Sequence, residues 1–164
     1  MLEKRKPPSK PSGEEIDHWM QEMHDTTGFP YKRVSPTHLQ VGMHNHVGEY
    51  PMDIKDQEEW MTFAARLTRD VEGRKKGDFH KGLLEKSGDL NGAHLGIQGG
   101  DVIVSREEPT EGLDQLSFYR SIRIVDAAVE EILPKVLKEI DRDNLKPKRK
   151  LKEIDRDNLK PKRK

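Results

Sequence analysis

Cysteine is absent from this chain of 164 residues, which excludes disulfides, thiolate metal sites and a cysteine nucleophile. Long apolar runs are absent too. No segment approaches the roughly 20 apolar residues needed to cross a bilayer, and residues 1–11 lack the apolar stretch of a secretory leader. The expectation is an intracellular protein, cytoplasmic or nuclear. Aromatic residues make up 5% and apolar residues 32% of the chain, against 37% charged. That is a thin supply of core material, so partner surfaces or a second copy of the chain could complete it. Catalytic signatures are also missing. Ser105 and Ser117 have no Gly-x-Ser-x-Gly context. Gly92, Gly96, Gly99 and Gly100 form neither a phosphate loop nor a dinucleotide fingerprint. Asp78 and His80 are close in sequence, which says nothing about a triad that must assemble in space.

What is present is a charge contrast. The formal net charge is zero, yet residues 1–10 sum to +3, residues 137–164 to +6 and residues 11–136 to −9. An acidic body thus lies between two basic ends, an arrangement that suits contact with nucleic acid or an acidic partner surface. Lys146, Lys148, Arg149 and Lys150 form one KPKRK cluster, and Lys160, Lys162, Arg163 and Lys164 form a second. Such clusters bind phosphates through counterion release, without sequence preference. No aromatic residue interleaves with them, so there is no stacking platform for single strands. The clusters belong to an exact duplication: residues 137–150 and 151–164 both read LKEIDRDNLKPKRK. An undrifted copy fits a recent duplication or an artificial addition, and two copies are too few for a solenoid.

Local patterns divide the chain into a disordered basic arm at 1–11, an α+β domain at 12–144 and a basic tail at 145–164. Ser12 and Glu15 have capping-box spacing. Ile16, Trp19, Met20 and Met23 follow at helical spacing, and Gly28 provides a stop. Leu39, Val41 and Met43 alternate as in a half-buried strand, with a partner strand over Tyr50–Ile54 that Pro51 would confine to a sheet edge. Asp56 and Glu59 repeat the cap spacing, and Trp60, Phe63, Ala64, Leu67 and Val71 predict a second amphipathic helix. Phe79, Leu83 and Leu84 suggest a short third helix. The pair Gly99-Gly100, flanked by Leu95, Ile97 and Val102–Val104, predicts another hairpin. From Gly112 a long amphipathic helix carries Leu116, Tyr119, Ile122, Val125, Val129 and Ile132, with Pro134 expected to kink or divide it. The two tryptophans, with Met20 and Met23, are assigned to the core, and Met61, off the Trp60 stripe, to an exposed contact.

Among the histidines, His44 and His46 are two residues apart on an expected strand and would share a face within reach of one ion. Glu49 and His94 could complete a shell if the two hairpins met. A His-x-His followed by glutamate also opens the metal motif of cupin barrels, but here the glutamate comes one residue early, the later proline-glycine element is missing and the strands are too few. The family is not carried over. Two function classes remain. The first is a non-catalytic assembly or adaptor protein, with no cofactor, whose acidic body binds a protein partner and whose basic tails touch nucleic acid or an acidic surface. The alternative is a small enzyme using a divalent metal at His44, His46 and Glu49, with His94 as a further ligand.

Overall fold

The computed structural model describes residues 9–68, 85, 90–98, 101–136 and 138. The predicted third helix at 79–84, the junction Gly99-Gly100, the first eight residues and both KPKRK clusters lie outside them. The described part is α+β: a six-stranded antiparallel sheet with two long helices against one face.

The first helix, α1 (Gly13–Thr27), begins and ends where its sequence signals place it. Ser12 Oγ accepts from the Glu15 amide, the Glu15 carboxylate accepts from the Ser12 amide, and Gly28 closes the helix in the left-handed conformation. Ile16, Trp19, Met20 and Met23 are its buried stripe. The chain then enters β1 (Tyr31–Ser35), β2 (His38–Asn45), β3 (Gly48–Gln57) and β4 (Trp60–Thr68), and later β5 (His94–Gln98) and β6 (Asp101–Pro109). The sheet order is β1-β2-β3-β4-β6-β5. Both predicted hairpins are present, β2 with β3 and β5 with β6.

Several expectations need correction. The segment from Trp60 is strand β4, not a helix. Its residues fit both periods, since Met61, Phe63, Ala65 and Leu67 alternate while Trp60, Phe63, Ala64 and Leu67 recur at helical spacing. Pairing with β3 on one side and β6 on the other selects the strand. Asp56 accordingly caps a turn: its carboxylate accepts from the Glu58 amide, and Glu58 takes a left-handed φ of 67°. Alternation also exchanges two side chains, because Met61 is buried whereas Trp60 is 47% exposed. Pro51 is not on an edge strand; β3 is interior to the sheet, but its pairing with β4 begins only at Met52 opposite Ala65. Pro51 therefore faces only β2, opposite Gly42, where its missing N–H interrupts no ladder with β4.

The second helix, α2 (residues 115–136), opens on Asp114, whose carboxylate accepts from the Ser117 amide at 2.8 Å. Its buried stripe is Phe118, Ile122, Val125, Val129, Ile132 and Val136. Leu116 turns outward instead, 65% exposed, and the helix runs through Pro134 undivided. Phe118 is the packing centre, with Trp19 of α1 and Phe63 of β4 each 5.4 Å away between ring centroids. Around it the sheet contributes Leu39, Val41, Met43, Met52, Ile54, Val102 and Val104.

Ser9–Pro11 already belong to the folded body, although the sequence reading placed them in the arm. Lys10 pairs with Asp56 at 2.6 Å, the Ser9 carbonyl accepts from Gly112, and Pro11 is buried.

Candidate functional site

Where α1 ends, the chain must turn sharply to enter β1, and Gly28 with Phe29 and Pro30 makes that corner. Two hollows flank it. One, of about 980 Å³, runs along the outer side of α2 and is lined by Met23, Phe29, Met43, Leu116, Tyr119 and Ile124, among others. Its charged lips are Arg120 and Arg123 toward the start of α2, and Asp126 and Glu131 further on, with Glu22 from α1. The other, of about 660 Å³, lies over β2 and β3 and is lined by Pro30, Tyr31, Gly42 and Pro51 with Lys32, His44 and Glu49 at its rim. Thr27, Phe29 and Met43 line both hollows. The result is a largely apolar trough folded around one corner, with methionine and aromatic side chains that adapt to varied ligands.

The trough has a rigid back wall. The β2–β3 turn is fastened to α2 through Asp126, whose Oδ1 accepts from the Tyr50 hydroxyl at 2.5 Å and from Asn45 Nδ2 at 2.8 Å. Burial, and secondarily the Asp126 carboxylate, pushes the Tyr50 phenol well above its ordinary range. Tyr119 ties α2 to α1 by donating to the Trp19 carbonyl at 2.6 Å while accepting from Gln115. Its phenol is also raised, chiefly by burial. Gln115 in turn donates to the Glu22 carboxylate. Each of these polar groups is satisfied internally, so they build the trough.

The candidate metal ligands are distributed as follows. His44 Nδ1 stands 3.9 Å from the Glu49 carboxylate across the β2–β3 pair. His46, in the turn, points instead to Glu130 of α2 at 3.7 Å. His94 is on β5, separated from β2 by three strands. Among the described residues, no group of three or more histidine, aspartate or glutamate side chains converges. The closest histidine–carboxylate pair in the sheet is one the sequence reading passed over, His38 Nε2 with Asp53 Oδ1 at 2.7 Å. A diagonal relation between β2 and β3 brings them together, which only the strand register could reveal.

No family model matches the chain, and no curated protein matches it. Solved structures do. A chain of the heterodimeric ExoU–SpcU complex from the type III secretion system of Pseudomonas aeruginosa superposes with a TM-score of 0.51 at 15% identity, covering 73% of this chain and 96% of that one. YbjN from E. coli, a proposed transcription regulator, gives 0.53 at 14%, covering 80% and 93%. A chain of the HopA1–SchA chaperone–effector complex gives 0.50 at 14%, covering 74% and 95%. At these identities the likeness is one of fold.

The leading structural features of the site, Phe29, Met43 and Leu116 around the corner, were not singled out from sequence as a surface. The signal available was a stripe mismatch: Leu116 falls off the row that Phe118 begins. No described helix is long and apolar enough to cross a membrane.

Proposed function

We propose that this protein is a non-catalytic adaptor that holds a segment of a protein partner in the trough around the α1–β1 corner. The observation that carries the reading is the trough itself: two adjoining, largely apolar hollows that share Thr27, Phe29 and Met43. The shared fold supports it, since two of the structures named above are complexes in which one protein binds another, one of them named as chaperone with effector. Apolar clefts rimmed by a few charges are where partner anchors insert. The KPKRK clusters add a second contact, weak and salt-sensitive, to nucleic acid or an acidic surface.

The trough is tested by placing a photo-crosslinking side chain at Ala127, on its exposed lip, and as a control at Lys55, on the other face of the sheet. In cells that make the protein naturally, Ala127 is expected to capture a discrete partner that Lys55 does not. Identical adducts from both positions, or none from Ala127, would end the reading. The tail contact is tested separately by fluorescence anisotropy with DNA and RNA. Changing all eight KPKRK lysines and arginines to glutamine in the full chain should abolish binding at low salt, and an unchanged isotherm removes that part.

A further inference from the structure

Resting on that reading of the trough, we propose that its α2 side takes an acidic amphipathic helix of the partner, held by apolar anchors and by two carboxylates set against Arg120 and Arg123.

Charge selects the occupant. Five arginines lie among the described residues, and three of them hold carboxylates: Arg33 on Asp17, Arg66 on Asp101 and Arg106 on Glu108. Arg120 and Arg123 have no such partner among the described residues, and both are exposed on the lip of the hollow. Acid is not scarce around them, since residues 11–136 sum to −9. The neighbouring carboxylates are occupied instead. Glu22 meets His18 and Gln115, Asp126 meets Tyr50 and Asn45, and Glu131 meets Lys135. Asp114, at the start of α2, takes its hydrogen bonds from Ser117 and feels Arg120 only through space. The lip thus presents two guanidiniums whose charge is not compensated by a direct partner. A guanidinium meets a carboxylate through two parallel N–H donors, a fit that an ammonium cannot make. The acids already on the lip repel a polyanion, so separate side-chain carboxylates suit this pair better than a run of phosphates.

Shape selects the form of that occupant. The hollow lies between the last turns of α1 and the outer side of α2. Along α2 its exposed stripe is Leu116, Arg120, Arg123, Ala127 and Glu131, at steps of three and four residues. At 1.5 Å per residue this stripe is about 22 Å long, roughly four helical turns. A third helix laid in the cleft would cover Leu116, which is 65% exposed. It would approach α2 most closely at Ala127, where the side chain is smallest. Its apolar face would meet Leu116, Tyr119 and Ile124, and acids three or four residues apart would reach both arginines.

The test is a selection from random peptides roughly four helical turns long, displayed on phage and presented to the full chain. Counter-selection uses the full chain with Arg120→Glu and Arg123→Glu, which shares the basic tails and so discards peptides held by them. The survivors are expected to carry two acids three or four residues apart among apolar residues. A labelled synthetic copy of the leading peptide should bind about tenfold more weakly to Arg120→Gln with Arg123→Gln, and more weakly still in added salt. Both arginines are exposed, so an unchanged urea midpoint should accompany that loss and separate it from unfolding. Survivors that are apolar without acids, or basic, overturn the inference and leave the trough as a binding site. Equal affinity for the natural and glutamine proteins does the same. Where Ala127 captures a partner, the crosslinked segment must itself contain the acids, and a neutral or basic segment overturns the inference alone. No survivors and no capture at Ala127 sink the inference and the adaptor reading together.

Discussion

The two faces of the sheet are held by different physics, although the same six strands make both. The face under α1 and α2 is built from large side chains: Phe63, Met52, Ile54 and Val104, closed over by Phe118. The other carries His38, Gln40, Asp53, Lys55, Thr62, Ala64 and Ser105, small or polar residues linked by short pairs such as His38–Asp53. Apolar burial is non-directional and scales with area, so the first face sets most of the stability, and partly buried polar pairs such as His38–Asp53 add less. The trough lies at the margin between these regimes, where apolar side chains reach the surface without being closed over.

The comparison is broken most directly at Phe118. Phe118→Ala should cost about 3–5 kcal/mol in urea unfolding, since a fully buried ring between Trp19 and Phe63 would leave a cavity. If it costs no more than a substitution at His38, the division between faces is wrong. Asp126→Ala should follow at about 1–3 kcal/mol, because the nearly buried Tyr50 hydroxyl and the Asn45 amide lose their common acceptor. Ser12→Ala should cost about 1 kcal/mol through loss of the α1 cap. His38→Ala on the second face should stay within about 1 kcal/mol.

Two pH profiles sharpen the same contrast. The Asp114 carboxyl is held below its ordinary value mainly by its hydrogen bonds from Ser117. Its native state therefore binds fewer protons than the unfolded chain, and the stability it gives is present above the unfolded value and lost as pH falls through the folded one. Acid titration of helicity should show a loss in the natural protein that Asp114→Asn, which keeps an accepting oxygen but does not titrate, lacks. Tyr50 runs the other way: its raised phenol favours the protonated state, so stability is complete below the ordinary tyrosine range and declines above about pH 10. Tyr50→Phe should flatten that alkaline decline.

Much of the fold could be read along the chain where the decisive information is local. The Ser12–Glu15 box and Gly28 delimit α1 because caps are made by residues within one turn of the helix end. The β2–β3 hairpin follows from alternation about a short turn. The reading failed where the deciding contacts are distant. The segment from Trp60 satisfies both periods, and only partners on β3 and β6 choose between them. Strand β1 has no alternation to betray it, with three exposed residues in its middle; it exists because β2 offers it an edge. The trough was illegible for a related reason, since its walls come from the end of α1, the middle of β2 and the outer side of α2. The histidines illustrate the converse: spacing put His44 and His46 on one face, but the turn carries His46 toward Glu130 on a different element.

Phe29, Thr27 and Met43 serve as a party wall, each presenting one side to either hollow. A ligand that displaces this wall from one chamber changes the volume left in the other. Occupants that moved this wall in opposite directions would be thermodynamically linked, each altering the affinity of the other by the same factor, and a partner long enough to enter both would meet a second chamber reshaped by its own first step.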